Sequence, residues 1–363
     1  MNTTYTVAGL MSGTSLDGLD IALCRFELIE DKWNYEILEA ATVEYDEQRR
    51  HSLKNVMHAS AEHLARLDFE FGYFQGQSVK NFLEKLPLTA DFIAAHGHTI
   101  FHQPESHFTT QIGNGAALAA ACRLPVVCDF RSLDVALKGQ GAPLVPIGDK
   151  LLFREYDYCL NLGGIANISY DDHSGKRIAF DICPANMVLN FLAGQKGQLY
   201  DKGGAMASSG KINHNLLKAL SHIDYYYKPT PKSLGKEHVD TLFFPLLINT
   251  QDSIENLLCT FCHHIAEKVA EVVTRTTASA SSRKVLITGG GAFNDFLVRL
   301  FKEKAGNNIE FIVPDAKIVA FKEALIFAFL GTLRWRGEVN CLRSVTGSEI
   351  DNCGGAIYLA PSR

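Results

Sequence analysis

The chain has 363 residues, too many for one small core and enough for two domains. At 47% hydrophobic and 21% charged, it has the composition of a globular protein, which excludes extensive disorder. A formal net charge of −5 leaves no basic footprint for nucleic acid, and no apolar run is long enough to span a bilayer. Met1 to Tyr5 lack the basic stretch and apolar core of an export signal. The nine scattered cysteines therefore read as reduced thiols, and the predicted compartment is the cytoplasm.

Short β-rich runs alternate with helical stretches, the pattern of an α/β protein. Thr6–Met11 and Asp20–Phe26 read as strands joined by a turn from Ser12 to Gly18. Leu64, Leu67, Phe71, Phe74 and Phe82 recur at helical spacing and predict a helix from about Ser60 to Glu84. Asp91–Ala95 reads as a buried strand, Gly115–Cys122 as a small-residue helix, and Pro125–Cys128 as the strand after it. A second strand pair starts at Tyr158–Asn161, turns through Gly163-Gly164 and resumes at Ile165–Tyr170. Lys284–Thr288 is a strand running into Gly289-Gly290-Gly291, with a helix over Asn294–Lys304. The order strand, glycine turn, strand thus opens each half, a weak internal repeat that predicts two lobes of common design with a cleft between them. The Gly- and Pro-rich stretch Gly139–Pro146 is the expected boundary, giving lobes over 1–140 and 141–363, with the last helix packing back on the first.

Three glycine clusters carry the chemical signal. In Gly13-Thr14-Ser15-Leu16-Asp17-Gly18-Leu19-Asp20, glycines free backbone N–H groups to face phosphate oxygens, and Thr14 and Ser15 add hydroxyls. Asp17 and Asp20 would repel bare phosphate, so carboxylates here make sense with Mg²⁺ between, Asp17 being the expected metal-facing residue. The second cluster is Asn161 to Asn167 around Gly163-Gly164. In the third, Thr288 to Asn294, a strand feeds a helix N-terminus, a favoured nucleotide site. Ordinary hairpin turns also use Gly and Asp. Three clusters at strand ends of one chain favour nucleotide.

Other motifs fail or have blander readings. Gly204–Lys211 has five residues between its glycines and Ile212 where a P-loop needs Ser or Thr. Neither Gly139-Gln140-Gly141 nor Gly289-Gly290-Gly291 extends to the dinucleotide fingerprint. Cys259-x-x-Cys262-His263 matches a haem-attachment spacing, yet Ile254, Leu257, Leu258, Phe261, Ile265 and Val269 embed it in an apolar helical stripe. His96, His98, His102 and His107 lack partners at zinc spacing. His102 and His107 read as a surface loop, and His96 and His98 as the end of a strand facing the cleft. A Ser-His-Asp hydrolase has the residues but no GxSxG elbow.

From Gly9-Leu10-Met11-Ser12-Gly13-Thr14-Ser15-Leu16-Asp17-Gly18-Leu19-Asp20 onward, the chain resembles the anhydro-N-acetylmuramic acid kinase family of the sugar kinase and actin superfamily. The resemblance continues, in the family's order, through His96-Gly97-His98-Thr99, Gln111-Ile112-Gly113 and Asp129-Phe130-Arg131. Gly139–Pro146, Asn161–Ile168, Thr288–Asn294, Glu323–Ala328 and Val345-Thr346-Gly347 complete it, over roughly residues 7 to 348. It implies a two-lobed actin-like ATPase fold of ribonuclease H-like lobes. It also implies that the glycine clusters are two phosphate loops and an adenosine loop. The expected ATP site is then Gly13, Thr14, Ser15, Leu16, Asp17, Gly18, Leu19, Asp20, Gly163, Gly164, Asn167, Gly289, Gly290 and Gly291.

The implied reaction opens 1,6-anhydro-N-acetylmuramic acid with water while O6 takes the γ-phosphoryl group of ATP. It gives N-acetylmuramic acid 6-phosphate in peptidoglycan recycling. The family pattern makes Asp181 the base that takes the proton from water, and Thr99, Arg131, Glu323 and His96 the sugar-binding residues. Partners are the sugar and ATP with Mg²⁺, and self-association into a homodimer is left open. Departures cluster near the base. Asp181-Ile182-Cys183-Pro184-Ala185-Asn186 replaces both glycines of the family's Asp-x-Gly-Pro-Gly-Asn, Gly203 stands for an Asp, and His98 for a Gln. A catalytically altered nucleotide sensor, or a kinase of a different anhydro-sugar, are the alternatives. An Asp at 181 could also merely cap the following helix over Met187–Leu192.

Overall fold

The computed structural model describes residues 3–13, 16–275 and 282–360. The chain forms two compact units, one running up to Leu152 and resuming at Phe321, the other covering Phe153–Ala320.

The first unit is built on strands β1 (Thr4–Ser12), β2 (Gly18–Ile29), β3 (Lys32–Glu44), β4 (Phe92–Ala95), a small hairpin of β5 (His98–Gln103) and β6 (Phe108–Ile112), and β7 (Val126–Cys128). The second carries β8 (Tyr158–Leu162), β9 (Ile165–Asp171), β10 (Arg177–Pro184), β11 (Arg283–Thr288) and β12 (Ile309–Ile312), and β13 (Ala356–Tyr358) belongs to the first. Sheet order is β13-β7-β4-β1-β2-β3 in the first unit and β10-β9-β8-β11-β12 in the second. In both, the opening three strands form an antiparallel meander and two more add in parallel beside the first of them. Each unit therefore has the strand order of a ribonuclease H-like fold, written 3-2-1-4-5. The internal repeat is real at the level of topology, and the first sheet has β13 as an extra antiparallel edge on β7.

Helix α1 (Ala61–Leu83) starts where Ser60 accepts the His63 N–H, and it buries Leu67 and Phe71 of the expected stripe. It packs against α2 (Gly115–Cys122), whose small side chains let the axes approach. In the second unit, α3 (Asn186–Gly194) follows β10, and α4 (Ile254–Arg275) buries Leu258, Phe261, Ile265 and Val269 completely. Cys259 and Cys262 lie inside that buried face, so the haem-like spacing is a core feature. After β11, a 3₁₀ turn over Gly290–Phe293 precedes α5 (Asp295–Ala305), which Asn294 caps by accepting from Leu297 N. Strand, glycine turn and helix fall where the sequence placed them, and the turn itself is 3₁₀.

The last long helix, α6 (Ala316–Arg336), joins the first unit from Phe321 on. Phe329 meets Phe26 and Trp33, and Trp335 stacks on Phe92 with centroids 4.8 Å apart. The approach is close enough that a Cβ on Gly9 would lie 1.9 Å from the Ala324 carbonyl oxygen. The division at Leu152 differs from the expected boundary at 140. The glycine- and proline-rich stretch is tied down rather than linking, because Gly139 N–H donates to Asp134 O and Gln140 N–H to Thr346 O. His102 is a second correction: it lies in β5 with its Nδ1 3.1 Å from Thr109 Oγ1, while His107 holds the turn that follows at φ +60°.

Candidate active site

In the second unit, three polar residues line up across neighbouring strands. Asn161 on β8 pairs with Asn167 on β9, which pairs with Asp181 on β10. Directly opposed residues of antiparallel strands share a face, so the two amides and the carboxylate form one row at the turn end of the sheet. Beyond Asp181 the register slips, a bulge that re-aims the end of β10.

A loop holds Asp181 from three sides. Its N–H donates to Lys232 O at 3.0 Å, its carbonyl accepts from Tyr225 OH at 2.6 Å, and Oδ2 accepts from Leu234 N–H at 2.8 Å. No other hydrogen bond to the carboxylate occurs among the described residues, which leaves Oδ1 for an incoming proton. Burial pushes the carboxyl up to about 6 against the pull of the Leu234 amide. A base in that range is ionised at neutral pH yet basic enough to take a proton. The helix-cap reading fails, since Ala185 is the N-cap residue of α3 and no side chain caps it.

The glycines divide by what surrounds them. A Cβ on Gly289 would lie 2.7 Å from Asn161 Oδ1, and one on Gly291 2.6 Å from Leu162 Cβ, so packing alone demands those two. On Gly163, Gly164 and Gly290 the nearest atoms are 3.4, 3.6 and 3.7 Å away, ordinary contact distances. The Gly164 carbonyl accepts from the Ala185 and Met187 amides and the Gly163 carbonyl from Asn186. The Gly163 and Gly164 N–H groups have no protein acceptor among the described residues. A turn with glycine where no neighbour requires it, and with idle amides, suits an anion. Asn186, which donates to Leu162 O at 2.9 Å, braces this turn and was outside the expected ATP set.

Where the family pattern has glycine, Cys183 and Ala185 are fully buried and neither has a left-handed backbone. A positive φ, the usual call for glycine, is absent at both positions.

In the first unit, Thr14 and Ser15 lie outside the described residues. Gly13 and Leu16 flank them, Leu16 N–H reaching Gly13 O at 3.4 Å with its own φ at +59°. Gly18 and Leu19 are buried at the start of β2, and a Cβ on Gly18 would lie 2.6 Å from Val43 O. Asp17 is exposed at the turn. Asp20 accepts from Thr42 Oγ1 at 2.6 Å, and its carboxyl is raised by burial, lowered by Thr42 and raised again by the Asp17 charge. Two carboxylates that repel each other at a turn fit a hydrated divalent cation, which takes one or two protein carboxylates and leaves its remaining positions to water and phosphate.

The sugar-binding candidates of this unit meet around Arg131. Its Nε and Nη2 approach His96 Nε2 at 3.0 and 2.8 Å, and Nη1 donates to Gly141 O at 2.6 Å. His96 Nδ1 sits 2.9 Å from Gly97 O. Burial first, then the Arg131 charge, hold His96 well below its usual range. It is therefore neutral, with Nε2 as the acceptor and Nδ1 as the donor. Glu323 on α6 is solvent-exposed, yet surrounding protein pushes its carboxyl up while Arg131 and Lys322 draw it down. Thr99 stands slightly apart on β5, its Oγ1 3.5 Å from Gln111 Nε2.

His98 faces away from this group. It pairs with Ser12 Oγ at 2.9 Å, which accepts from Tyr45 OH at 2.7 Å, tying the end of β1 to the chain after β3. Burial lowers His98 to about 4, so it acts as a neutral hydrogen-bonding group.

Sequence reasoning missed the residue that fixes Arg131. Asp134 is fully buried, and its Oδ1 accepts from Cys341 Sγ, Thr346 Oγ1 and Asn352 Nδ2 at 3.0, 2.9 and 2.8 Å. Its Oδ2 accepts from Gly141 N–H at 2.8 Å. Burial opposes the charge, but these donors outweigh it and hold the carboxyl below its usual value. Asp134 thereby locks the Gly141 carbonyl that receives Arg131. A buried Asp three residues after an Arg has no sequence signature that separates it from any helical carboxylate.

The family model for anhydro-N-acetylmuramic acid kinase matches residues 5–360. The anhydro-N-acetylmuramic acid kinase of Aliivibrio fischeri is 32% identical over 97% of this chain and 98% of its own length. That of Pseudomonas fluorescens is 33% identical over 96% and 98%. A solved structure, component A of the Acidaminococcus fermentans (R)-2-hydroxyglutaryl-CoA dehydratase, overlaps 90% of this chain and 96% of its own, with a TM-score of 0.44 at 14% identity. With its family model matched almost end to end and full-length relatives at about a third identity, the chain belongs to the anhydro-N-acetylmuramic acid kinase family.

Proposed function

We propose that the protein is an ATP-dependent kinase that hydrolytically opens 1,6-anhydro-N-acetylmuramic acid and phosphorylates O6, serving cell-wall recycling in the cytoplasm. The observation that carries the reading is the row Asn161–Asn167–Asp181, with a carboxyl raised to about 6 at its end. Asp181 Oδ1 takes a proton from the attacking water as its oxygen bonds to the anomeric carbon. The bond from that carbon to O6 breaks, and the electron pair left on O6 is what accepts the phosphoryl group. ATP supplies that group, and Mg²⁺, when bound, would screen its charge. The idle amides of Gly163 and Gly164 suit phosphate oxygens, Gly290 lies open for the nucleotide, and Asn167 stands between Asn161 and Asp181 in the row. Asp17 is the residue to hold the Mg²⁺ water shell, with Asp20 supporting. Arg131, held flat by neutral His96, presents its charge beside Glu323 and Thr99 for the sugar. Among the described residues no helix is long and apolar enough to cross a membrane.

Incubation with ATP, Mg²⁺ and the anhydro-sugar, followed by mass measurement, tests this. The expected product gains both one water and one phosphoryl group, and ATP consumption depends on the sugar. ATP turnover indifferent to the sugar, or a product lacking the added water, would remove the assignment.

A further inference from the structure

The second unit contains a cavity of about 530 Å³ that the reaction above does not use. Phe180 and Ile182, the chain neighbours of Asp181, form part of its wall, together with the loop over 226–232 and one side of α4. Its volume falls in the range of small-molecule sites.

Its charge is unbalanced. Lys228, Lys232, Lys268 and Arg275 line it against one carboxylate, Glu271. Glu271 is already engaged, since Lys268 Nζ lies 2.7 and 3.0 Å from its two oxygens. Lys268 is 7% exposed and sits 4.8 Å from the Tyr226 ring centroid, a fixed buried ammonium. Lys232 is likewise pinned, donating to Tyr225 O and Tyr226 O at 3.0 and 3.2 Å. Lys228 and Arg275 have no ion-pair partner among the described residues. Burial lowers Lys232, and the nearby Arg275 and Lys268 charges lower it further. Three cations left over at one cavity repel each other, and a dianion would relieve that repulsion. The rest of the wall mixes rings with aliphatic side chains, with Tyr227 70% exposed beside Pro229 and Val272.

The geometry points to a second ligand site, one that takes a phosphomonoester carried on a ring of monosaccharide size. The phosphate faces Lys228, Lys232 and Arg275, and the ring lies on the tyrosine side. Lys232 is preorganised by its two carbonyl contacts, so less of its side-chain entropy is lost on binding. The site stands independently of the role proposed for Asp181.

Glucose 6-phosphate is a suitable probe, by titration calorimetry on the full chain at low salt. The expected result is binding that weakens at least tenfold in Lys228→Ala/Arg275→Ala, with thermal midpoint and sugar-dependent turnover unchanged. The single charge reversal Arg275→Glu should weaken it as well. Inorganic phosphate should bind at least tenfold more weakly than glucose 6-phosphate, and neutral glucose should not compete. Unaltered glucose 6-phosphate binding in both variants would overturn the site. Equal affinity for inorganic phosphate would overturn its ring-binding half, and absence of any binding to the wild-type chain would overturn both.

Discussion

The turn between β1 and β2 and the turn between β8 and β9 occupy the same place in two sheets of the same strand order, yet their chemistry is opposite. The first carries Asp17 and Asp20, two carboxylates that raise the question of a cation. The second carries no charge and presents the bare amides of Gly163 and Gly164. Their glycines differ for the same reason. Gly18 is pressed by β3, with Val43 O 2.6 Å from where its Cβ would be, whereas Gly164 has nothing closer than 3.6 Å. Glycine conserves packing in one turn and leaves a surface open in the other. A duplicated topology thus supplies the positions, and the local side chains give the two turns opposite character.

The sharpest test of this division is Asp181, which ends the row of amides beside the second turn. Asp181→Asn keeps the shape and the Leu234 contact but cannot accept a proton. Turnover should fall about 10²–10⁴-fold with little change in sugar affinity. The same variant should melt higher than the wild type at pH 7.5. In the wild type, burial pushes the Asp181 carboxyl from the ordinary carboxylate value of 3.8 up to about 6, so the native state holds the extra proton between them. The stability that this group contributes is greatest below the unfolded value and is lost as pH rises through about 6. The melting advantage of Asn should therefore shrink as pH falls toward 4. A variant that loses turnover and also melts lower at pH 7.5 would place Asp181 in a structural role instead.

Next in size are substitutions that invert the character of the first turn. Asp17→Lys should weaken Mg²⁺-ATP binding on the order of tenfold or more while leaving the fold intact, because the residue is exposed. Unchanged affinity by calorimetry would take Asp17 out of the metal site.

The glycines give a paired comparison of smaller effects. Gly164→Ala should cost little stability and reduce nucleotide affinity by roughly tenfold, by crowding the approach to its amide. Gly18→Ala should do the reverse, with about 1–3 kcal/mol lost by denaturant unfolding from overpacking against β3. Equal stability loss in both would dissolve the distinction between a packing glycine and a ligand-facing one. Asp134→Asn belongs at the same scale. It leaves at least one of four donors facing an amide, and about 1–3 kcal/mol should be lost. The sugar KM should rise as the Gly141 loop releases Arg131.

Most of the fold was legible because strands bounded by glycine turns announce themselves. The meander starts, α1 with Ser60 at its head, and the β11–glycine–α5 segment fall where periodicity and turn residues placed them. β3 was not legible: its burial alternates poorly, and Glu36, Glu39 and Glu44 on it look like a solvated stretch. The β5–β6 hairpin escaped for a related reason, since His102, Gln103 and the threonines break up its few apolar residues. At the site, Asp181 and the glycines could be found because motifs carry them. The row with Asn161 and Asn167 needed a register, and the lock of Asp134 on Gly141 needed four donors from residues up to 218 positions away. Contacts of that separation are written in the fold, not in any local pattern.

β13 and the later turns of α6 have a consequence for how the protein is made. The second unit is one continuous stretch, whereas the first is completed only by the edge strand on β7 and the helix covering Gly9. A chain leaving the ribosome exposes the apolar face of β1, β2 and β4 long before its cover has been synthesised. The segment made first is therefore finished last, and in the meantime its unfinished sheet is the surface a nascent-chain chaperone would hold.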